Sequence, residues 1–202
     1  MIRSTRDLPA PHYTFQIKNF SLLLRMKKKK CHSGQFEVDG YQWRLVLYPN
    51  GRKNSNGKGH ISLYLEIADT KDFPHGWEVN VNIIRFFVFD QIRDKYLIIQ
   101  DANGRVKHFH NLKTEWGFAQ LLSHDSLNDS SNGYLFDDTC VFGVEVFVIK
   151  AEYWFSDPDT SYGYHKFLAV RDLMETSNGY LVDDALFIEC KIDVISVVKD
   201  FF

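Results

Sequence analysis

A membrane-spanning helix needs roughly 18 or more consecutive apolar residues, and no run in this sequence approaches that length. The opening stretch, MIRSTRDLPAPHYTF, lacks the apolar core of a secretory leader. Cysteine is scarce: Cys31, Cys140 and Cys190 are odd in number and share no C-x-x-C spacing. That argues against a disulfide framework and against a zinc site. The phosphate-cradling patterns G-x-G-x-x-G and G-x-x-x-x-G-K-[ST] are missing, so nucleotide binding has no support. Neither sign of charge dominates. Lys and Arg total 24 against 26 Asp and Glu, a net of −2, so the whole molecule exerts no strong pull on nucleic acid or membrane. These absences lead us to expect a soluble protein of a reducing compartment, the cytoplasm or the nucleus. No cofactor, metal, nucleic-acid or membrane partner is expected.

Aromatic residues are what the sequence has in excess, with 17 Phe and 10 Tyr. Aromatic and β-branched side chains fit a pleated, half-buried surface, so the composition leans towards sheet. The patterning agrees. Ile61, Leu63, Leu65 and Ile67 alternate within His60–Ala68, and W-E-V-N-V-N-I opens a second period-two run at Trp77. Further strands are expected at His12–Phe20, Gln35–Val38, Tyr41–Tyr48, Tyr96–Gln100 and Val141–Ile149. Pro49-Asn50-Gly51 reads as a turn, because Pro fixes φ and Gly accepts a positive one. Asp101–Gly104 reads as a hairpin-type turn. Glu115–Ser123 predicts a helix, with Phe118, Leu121 and Leu122 at i, i+3 and i+4. Many short strands and one short helix predict an all-β antiparallel sandwich.

The chain also repeats itself. Ser131-Asn-Gly-Tyr-Leu-Phe-Asp-Asp138 recurs as Ser177-Asn-Gly-Tyr-Leu-Val-Asp-Asp184, and Trp116-Gly117-Phe118 is answered by Tyr162-Gly163-Tyr164 at the same displacement. Nothing after residue 150 copies residues 12–104. We therefore expect an N-terminal extension over 1–11, a complete domain over 12–150, and a partial second repeat over 151–202. That last part predicts a helix near Tyr164–Met174 and apolar strands at Phe187–Ile188 and Ile192–Val198. It holds 4 Lys and Arg against 10 Asp and Glu, while residues 1–150 hold 20 against 16.

The order of motifs resembles one family. His12-Tyr-Thr-Phe-Gln-Ile-Lys-Asn-Phe20 is similar to the opening strand of a MATH (TRAF-like) domain, and Phe36-Glu-Val-Asp-Gly-Tyr-Gln-Trp-Arg-Leu45 to its second and third strands. Tyr48-Pro-Asn-Gly51, His60-Ile-Ser-Leu-Tyr-Leu65, Glu115-Trp-Gly-Phe118 and Ser131–Asp138 follow in the family's order. The chain looks most like plant MATH-only proteins, which often carry two such domains in tandem. The resemblance implies an eight-stranded antiparallel sandwich that binds short extended peptides along a sheet edge, by strand addition. In some family members this recruits substrates to ubiquitin ligases. Carried over by motif, the groove falls at Tyr64, Val79, Trp116 and Phe118, with Glu115 and Gly117 adjacent and Lys107 in the same region. Val79 stands where the substrate recruiters carry an aromatic, so their Ser/Thr-rich consensus does not transfer.

Other constellations have plainer readings. Trp116 and Phe118 are peptide anchors on one view and core packing on the other. Lys27–Lys30 is a nuclear address or anion patch on one view, and on the favoured one a solvated loop. Asp137-Asp138 and Asp183-Asp184 lack His or Glu at ligand spacing and fit a turn or an edge. Ser123-His124-Asp125 spells a triad, but three neighbours do not form its relay. Two functional readings follow. The first is a non-enzymatic module for protein or peptide partners, an adaptor linked to ubiquitin pathways. The alternative is a structural protein that self-associates into a homo-oligomer through its half-repeat.

Overall fold

The structure, a computed structural model, describes residues 1–26, 29–149, 181–182 and 185–186. The chain divides into two compact units, residues 1–151 and 152–202. In the first unit the strands are β1 (Ile2–Arg6), β2 (Tyr13–Ile17), β3 (Cys31–Val38), β4 (Tyr41–Tyr48) and β5 (His60–Ile67). They continue as β6 (Glu78–Asp90), β7 (Lys95–Gln100), β8 (Lys107–His110), β9 (Glu115–Ser123) and β10 (Cys140–Ile149). Two short helices, α1 (Phe20–Arg25) and α2 (His124–Asn128), lie between strands.

The pairings of these ten strands are all antiparallel and form two sheets, one ordered β1-β7-β6-β10-β2 with β8 also on β6, the other β3-β4-β5-β9. The expected all-β sandwich is what the chain builds. It has ten strands where eight were expected, and residues 1–11, expected as an extension, contribute β1. That strand runs along β7 with Ile2 opposite Gln100 and Arg6 opposite Tyr96.

The core lies between the sheets, and period-two patterning puts it there. Trp43, Leu45 and Leu47 of β4 and Ile61, Leu63 and Leu65 of β5 have no exposed surface. They face Phe86 and Val88 of β6 and Phe142 and Val144 of β10 within one cluster. Trp43 meets Phe109 edge-on at 5.1 Å, and its indole N–H donates to the Val38 carbonyl at 3.2 Å. Burying an indole demands a partner for that polar atom, and β3 supplies it.

Two local expectations change. Glu115–Ser123 is a strand, not a helix. Its backbone pairs with β5, Leu63 opposite Phe118 and Ile61 opposite Leu122, with an irregularity between them. That irregularity gives β9 extra residues against Ser62, so Leu121 and Leu122 are both buried and mimic helical spacing. Asp101–Gly104 is not a hairpin turn. β7 and β8 both pair with β6, at Arg85–Asp90 and at Glu78–Val81, so the loop merely interrupts one flank of β6. Cys31, which directly follows the Lys27–Lys30 stretch expected as a loop, opens β3 opposite Leu47.

The Asp137-Asp138 pair does form a turn. Phe136 and Thr139 exchange two backbone hydrogen bonds, of 3.0 and 2.9 Å, and the residues between them have φ of 45° and 51°. Positive φ at both central positions is the type I′ geometry that matches strand twist. Asp138 then closes the start of α1. Its carbonyl accepts the Phe20 N–H, and its carboxylate accepts the Ser21 N–H at 2.8 Å and the Ser21 hydroxyl at 2.7 Å. Asn19, before α1, makes no side-chain cap, so Asp138 supplies the acceptors from across the fold. In the second unit the described residues form a two-residue strand pair, β11 (Leu181–Val182) with β12 (Ala185–Leu186). Val182 lies opposite Ala185, as Phe136 lies opposite Thr139 at the equivalent place in the first copy. The helix expected near Tyr164–Met174, the apolar strands after residue 186, Asp183-Asp184 and Cys190 lie outside the described residues.

Candidate functional site

β9 ends the four-stranded sheet. β5 pairs with one of its edges, and no described strand pairs with the other. An unpaired edge carries a row of free N–H and C=O groups. Register sets which way its side chains lie. Trp116 is opposite Leu65 and Phe118 opposite Leu63, so both stand on the core side. Glu115 is opposite Glu66 and Gly117 opposite Tyr64, so these belong to the outer face. Trp116 and Phe118 are half-buried. The Phe118 ring meets Phe86 edge-on at 5.9 Å, and the Trp116 indole N–H donates to the His108 carbonyl of β8 at 2.9 Å. Both rings thus pack and remain reachable at the rim. A side chain at Gly117 would place its Cβ 2.1 Å from the Leu63 carbonyl oxygen, so only glycine lets β9 lie this close to β5.

A cavity of about 600 Å³ opens on the outer side, lined by Tyr48, Arg52, Tyr64, Lys113, Glu115 and Trp116 among others. Tyr64 is its floor rather than its wall, at 7% exposure. The Arg52 guanidinium covers it, 4.8 Å from the ring centroid, and also stacks on Tyr48 at 5.4 Å. Arg52 donates to the Glu115 carboxylate at 2.7 Å, and the Lys30 ammonium lies 3.6 Å from the other oxygen of that carboxylate. Burial and the nearby Glu115 carboxylate raise the Tyr48 phenol above its ordinary value. Lys113 sits 3.1 Å over the Trp116 ring, and burial lowers its ammonium below the usual lysine value. Farther along the face Arg44 holds Glu66, with His32 at 3.9 Å from the same carboxylate. Burial, then the charges of Arg44 and Lys30, keep the His32 imidazole below its ordinary 6.5.

On the core side of β9 a smaller cavity of about 90 Å³ is lined by Ile84, Phe86, Lys107, Trp116, Gly117 and Phe118 together with Asp101. Lys107 is buried. Its ammonium donates to the Arg105 carbonyl at 2.6 Å and lies 3.5 Å from the Asp101 carboxylate. The site residues expected from sequence thus fall into two groups that share Trp116 and Gly117. Tyr64 and Glu115 belong with the outer cavity, Lys107 and Phe118 with the inner one. Val79 lines neither. It is 4% exposed, pairs opposite Phe109 and packs in the core. Arg52, Tyr48 and Lys113 are additions. Tyr48 was legible, since the period of β4 places it on the Tyr64 face. Arg52 follows a turn, and no period reaches it.

The remaining candidate chemistry is structural. The Ser123 hydroxyl accepts the Ser126 N–H at 3.1 Å as the N-cap of α2, and the His124 ring nitrogen lies 2.8 Å from the Pro49 carbonyl. Burial pushes the Cys140 thiol far above its ordinary value, which keeps it protonated. Among the described residues no cluster of His, Cys, Asp and Glu is placed to hold a metal, and no helix is long and apolar enough to cross a membrane.

Comparison with known proteins points one way. The MATH domain family model matches residues 12–146. Ubiquitin C-terminal hydrolase 12 of Arabidopsis thaliana is 33% identical over 152 residues, which cover 75% of this chain and 13% of that protein. Two MATH domain and coiled-coil domain-containing proteins of the same plant are 30% and 33% identical over 138 residues. Those matches cover 68% of this chain and 43% and 46% of the relatives. The chain therefore spans less than half the length of each of these relatives. The sandwich, its motifs in order and the family match over most of the first unit make this chain a member of the MATH domain family, whose domains are protein-interaction modules.

Proposed function

We propose that the first unit binds a short extended peptide of a partner protein by adding it as a strand to the open edge of β9. The chain then acts as a non-catalytic adaptor. The observation that carries this reading is the unpaired edge of β9 with a cavity on each side, both reaching Trp116 and Gly117. In strand addition the backbone groups supply affinity, and alternate side chains enter pockets on the two faces. β9 offers that arrangement, with Tyr64 beneath the outer pocket and Phe118 beside the inner one. The MATH region shared with a protein named as a ubiquitin hydrolase supports a role in presenting partners to ubiquitin-processing enzymes.

Panning the full chain against a displayed nonapeptide library tests this. Selected peptides should slow amide hydrogen exchange along Glu115–Ser123. Trp116→Ala should weaken them by about 1–4 kcal/mol, as for aromatic anchors at interfaces. Peptides that bind without altering exchange in β9 would move the site elsewhere.

A further inference from the structure

The outer cavity is unevenly charged. Glu115 is its one carboxylate, and it serves two cations at once, Arg52 at 2.7 Å and Lys30 at 3.6 Å. Lys113 adds a third cation over the Trp116 ring, and among the described residues no carboxylate pairs with it. A neighbouring hollow of about 570 Å³ shares Arg52 and adds Lys29 and Lys53, with no acidic residue in its lining. The linings of the two hollows thus hold five cations, Lys29, Lys30, Arg52, Lys53 and Lys113, against the one carboxylate of Glu115, while Glu66, opposite Glu115, is held by Arg44. Arg52 is also held in place, since it stacks on Tyr48 and Tyr64 while Glu115 anchors one of its nitrogens. A guanidinium fixed in this way loses little freedom when its other donors meet an anion.

Two lysines of the Lys27–Lys30 run gain a role from this placement. Lys29 and Lys30 are exposed, as in a solvated loop, and stand at the two hollows. We infer that this basic rim selects anionic side chains, so that the peptide taken by β9 is acidic, with Asp, Glu or a phosphorylated residue near the end that meets Glu115. This rests on the peptide-binding reading above and narrows it. A nucleic acid fits less well. The cations cluster at one end of an open strand edge rather than along a backbone-length track, and the protein as a whole carries a net charge of −2.

The test pans the same nonapeptide library with the wild-type full chain and with Lys30→Glu and Lys113→Glu, each checked for an unchanged melting temperature. Wild type should enrich Asp or Glu at one or two positions. The charge-reversed variants should lose that enrichment while keeping the alternating apolar positions. Resynthesis of selected sequences with Ser, Glu or phosphoserine at the anionic position should show Ser weakest by about tenfold or more, in line with charge-assisted bonds. The better of Glu and phosphoserine then names the source of the anion. Neutral or basic peptides selected equally by wild type and variants would overturn this inference and leave the peptide-binding reading standing. No selection at all would overturn both. Stoichiometric capture of single-stranded RNA by wild type, abolished in both variants and competing with the peptides, would also overturn it.

Discussion

Asp90 shows how one carboxylate can organise a turn. It ends β6 at 8% exposure and accepts hydrogen bonds from the Ile92 N–H at 3.1 Å, the Arg93 N–H at 3.0 Å and the Arg93 guanidinium at 2.7 Å. Burial alone would raise its pKa, but the hydrogen bonds from Arg93 and Ile92 outweigh it and hold the carboxyl below its ordinary 3.8. A lowered folded pKa stabilises the fold above the unfolded value, and that contribution is lost as pH falls through the folded one. Asp90→Asn should therefore cost about 1–3 kcal/mol at pH 7, the usual loss when hydrogen bonds to a charged acceptor are weakened. The gap between variant and wild type should close as denaturation is measured at successively lower pH, below about 4. A gap that stays constant down to pH 2 would mean that the charge on Asp90 contributes nothing. At the same scale, burial of Trp43 was legible from its alternation with Tyr41 and Leu45, and so was the turn at Pro49–Gly51, where the Gly51 N–H donates to the Tyr48 carbonyl at 3.1 Å. Val79 was legible as a core residue from the W-E-V-N-V-N-I alternation, although the family motif assigns its position to the groove; the pairing of β6 with β8 places Phe109 opposite it.

At the scale of elements, the same spacing had two outcomes. Phe118, Leu121 and Leu122 stand at i, i+3 and i+4, and they lie on a strand. Phe20, Leu23 and Leu24 have that spacing too, and they form α1. Local sequence does not separate the cases, because partners remote in the chain decide them. β5 offers β9 a full set of backbone groups, whereas α1 receives its missing acceptors from Asp138. Stretches that alternate, such as β5 and the opening of β6, were legible, because their period alone separates a core face from an outer one. The open edge of β9 became visible only once that strand had been paired. Gly117 tests how tightly the pairing is set. Gly117→Ala puts a methyl group against the Leu63 carbonyl and the Tyr64 Cα, at 2.1 and 2.5 Å. These are backbone atoms, so no rotamer change relieves the clash, and β9 must shift. The expected cost is about 1–3 kcal/mol, typical of overpacking. Amide exchange should rise along β9 and β5 but not along β1 or β7. A variant as stable as wild type would show that the edge strand moves freely.

For the whole molecule, the question is what the first unit needs in order to fold. Each of its ten strands finds its partners within residues 2–149. One cluster of buried residues, from Phe20 to Val146, lies within that unit. A chain of about 150 residues hides roughly two thirds of its unfolded surface on folding, enough for independent stability. The acidic segment that follows repeats part of the first unit, and its Val182–Ala185 pairing copies the local register of Phe136–Thr139. In sequence, nothing after residue 150 matches residues 12–104, and a lone strand pair is marginal in water. Ending the chain after Ala151 should therefore leave a folded, monodisperse protein. It should melt within a few degrees of the full chain and bind selected peptides equally well. Light scattering and a thermal melt monitored by tryptophan fluorescence check this, because Trp43, Trp77 and Trp116 all remain. If the shortened protein instead aggregates or melts far lower, residues 152–202 cover apolar surface of the first unit, and the boundary drawn at residue 150 is wrong. If it stays folded but binds acidic peptides more tightly, the ten carboxylates of the removed segment compete for the basic rim beside β9.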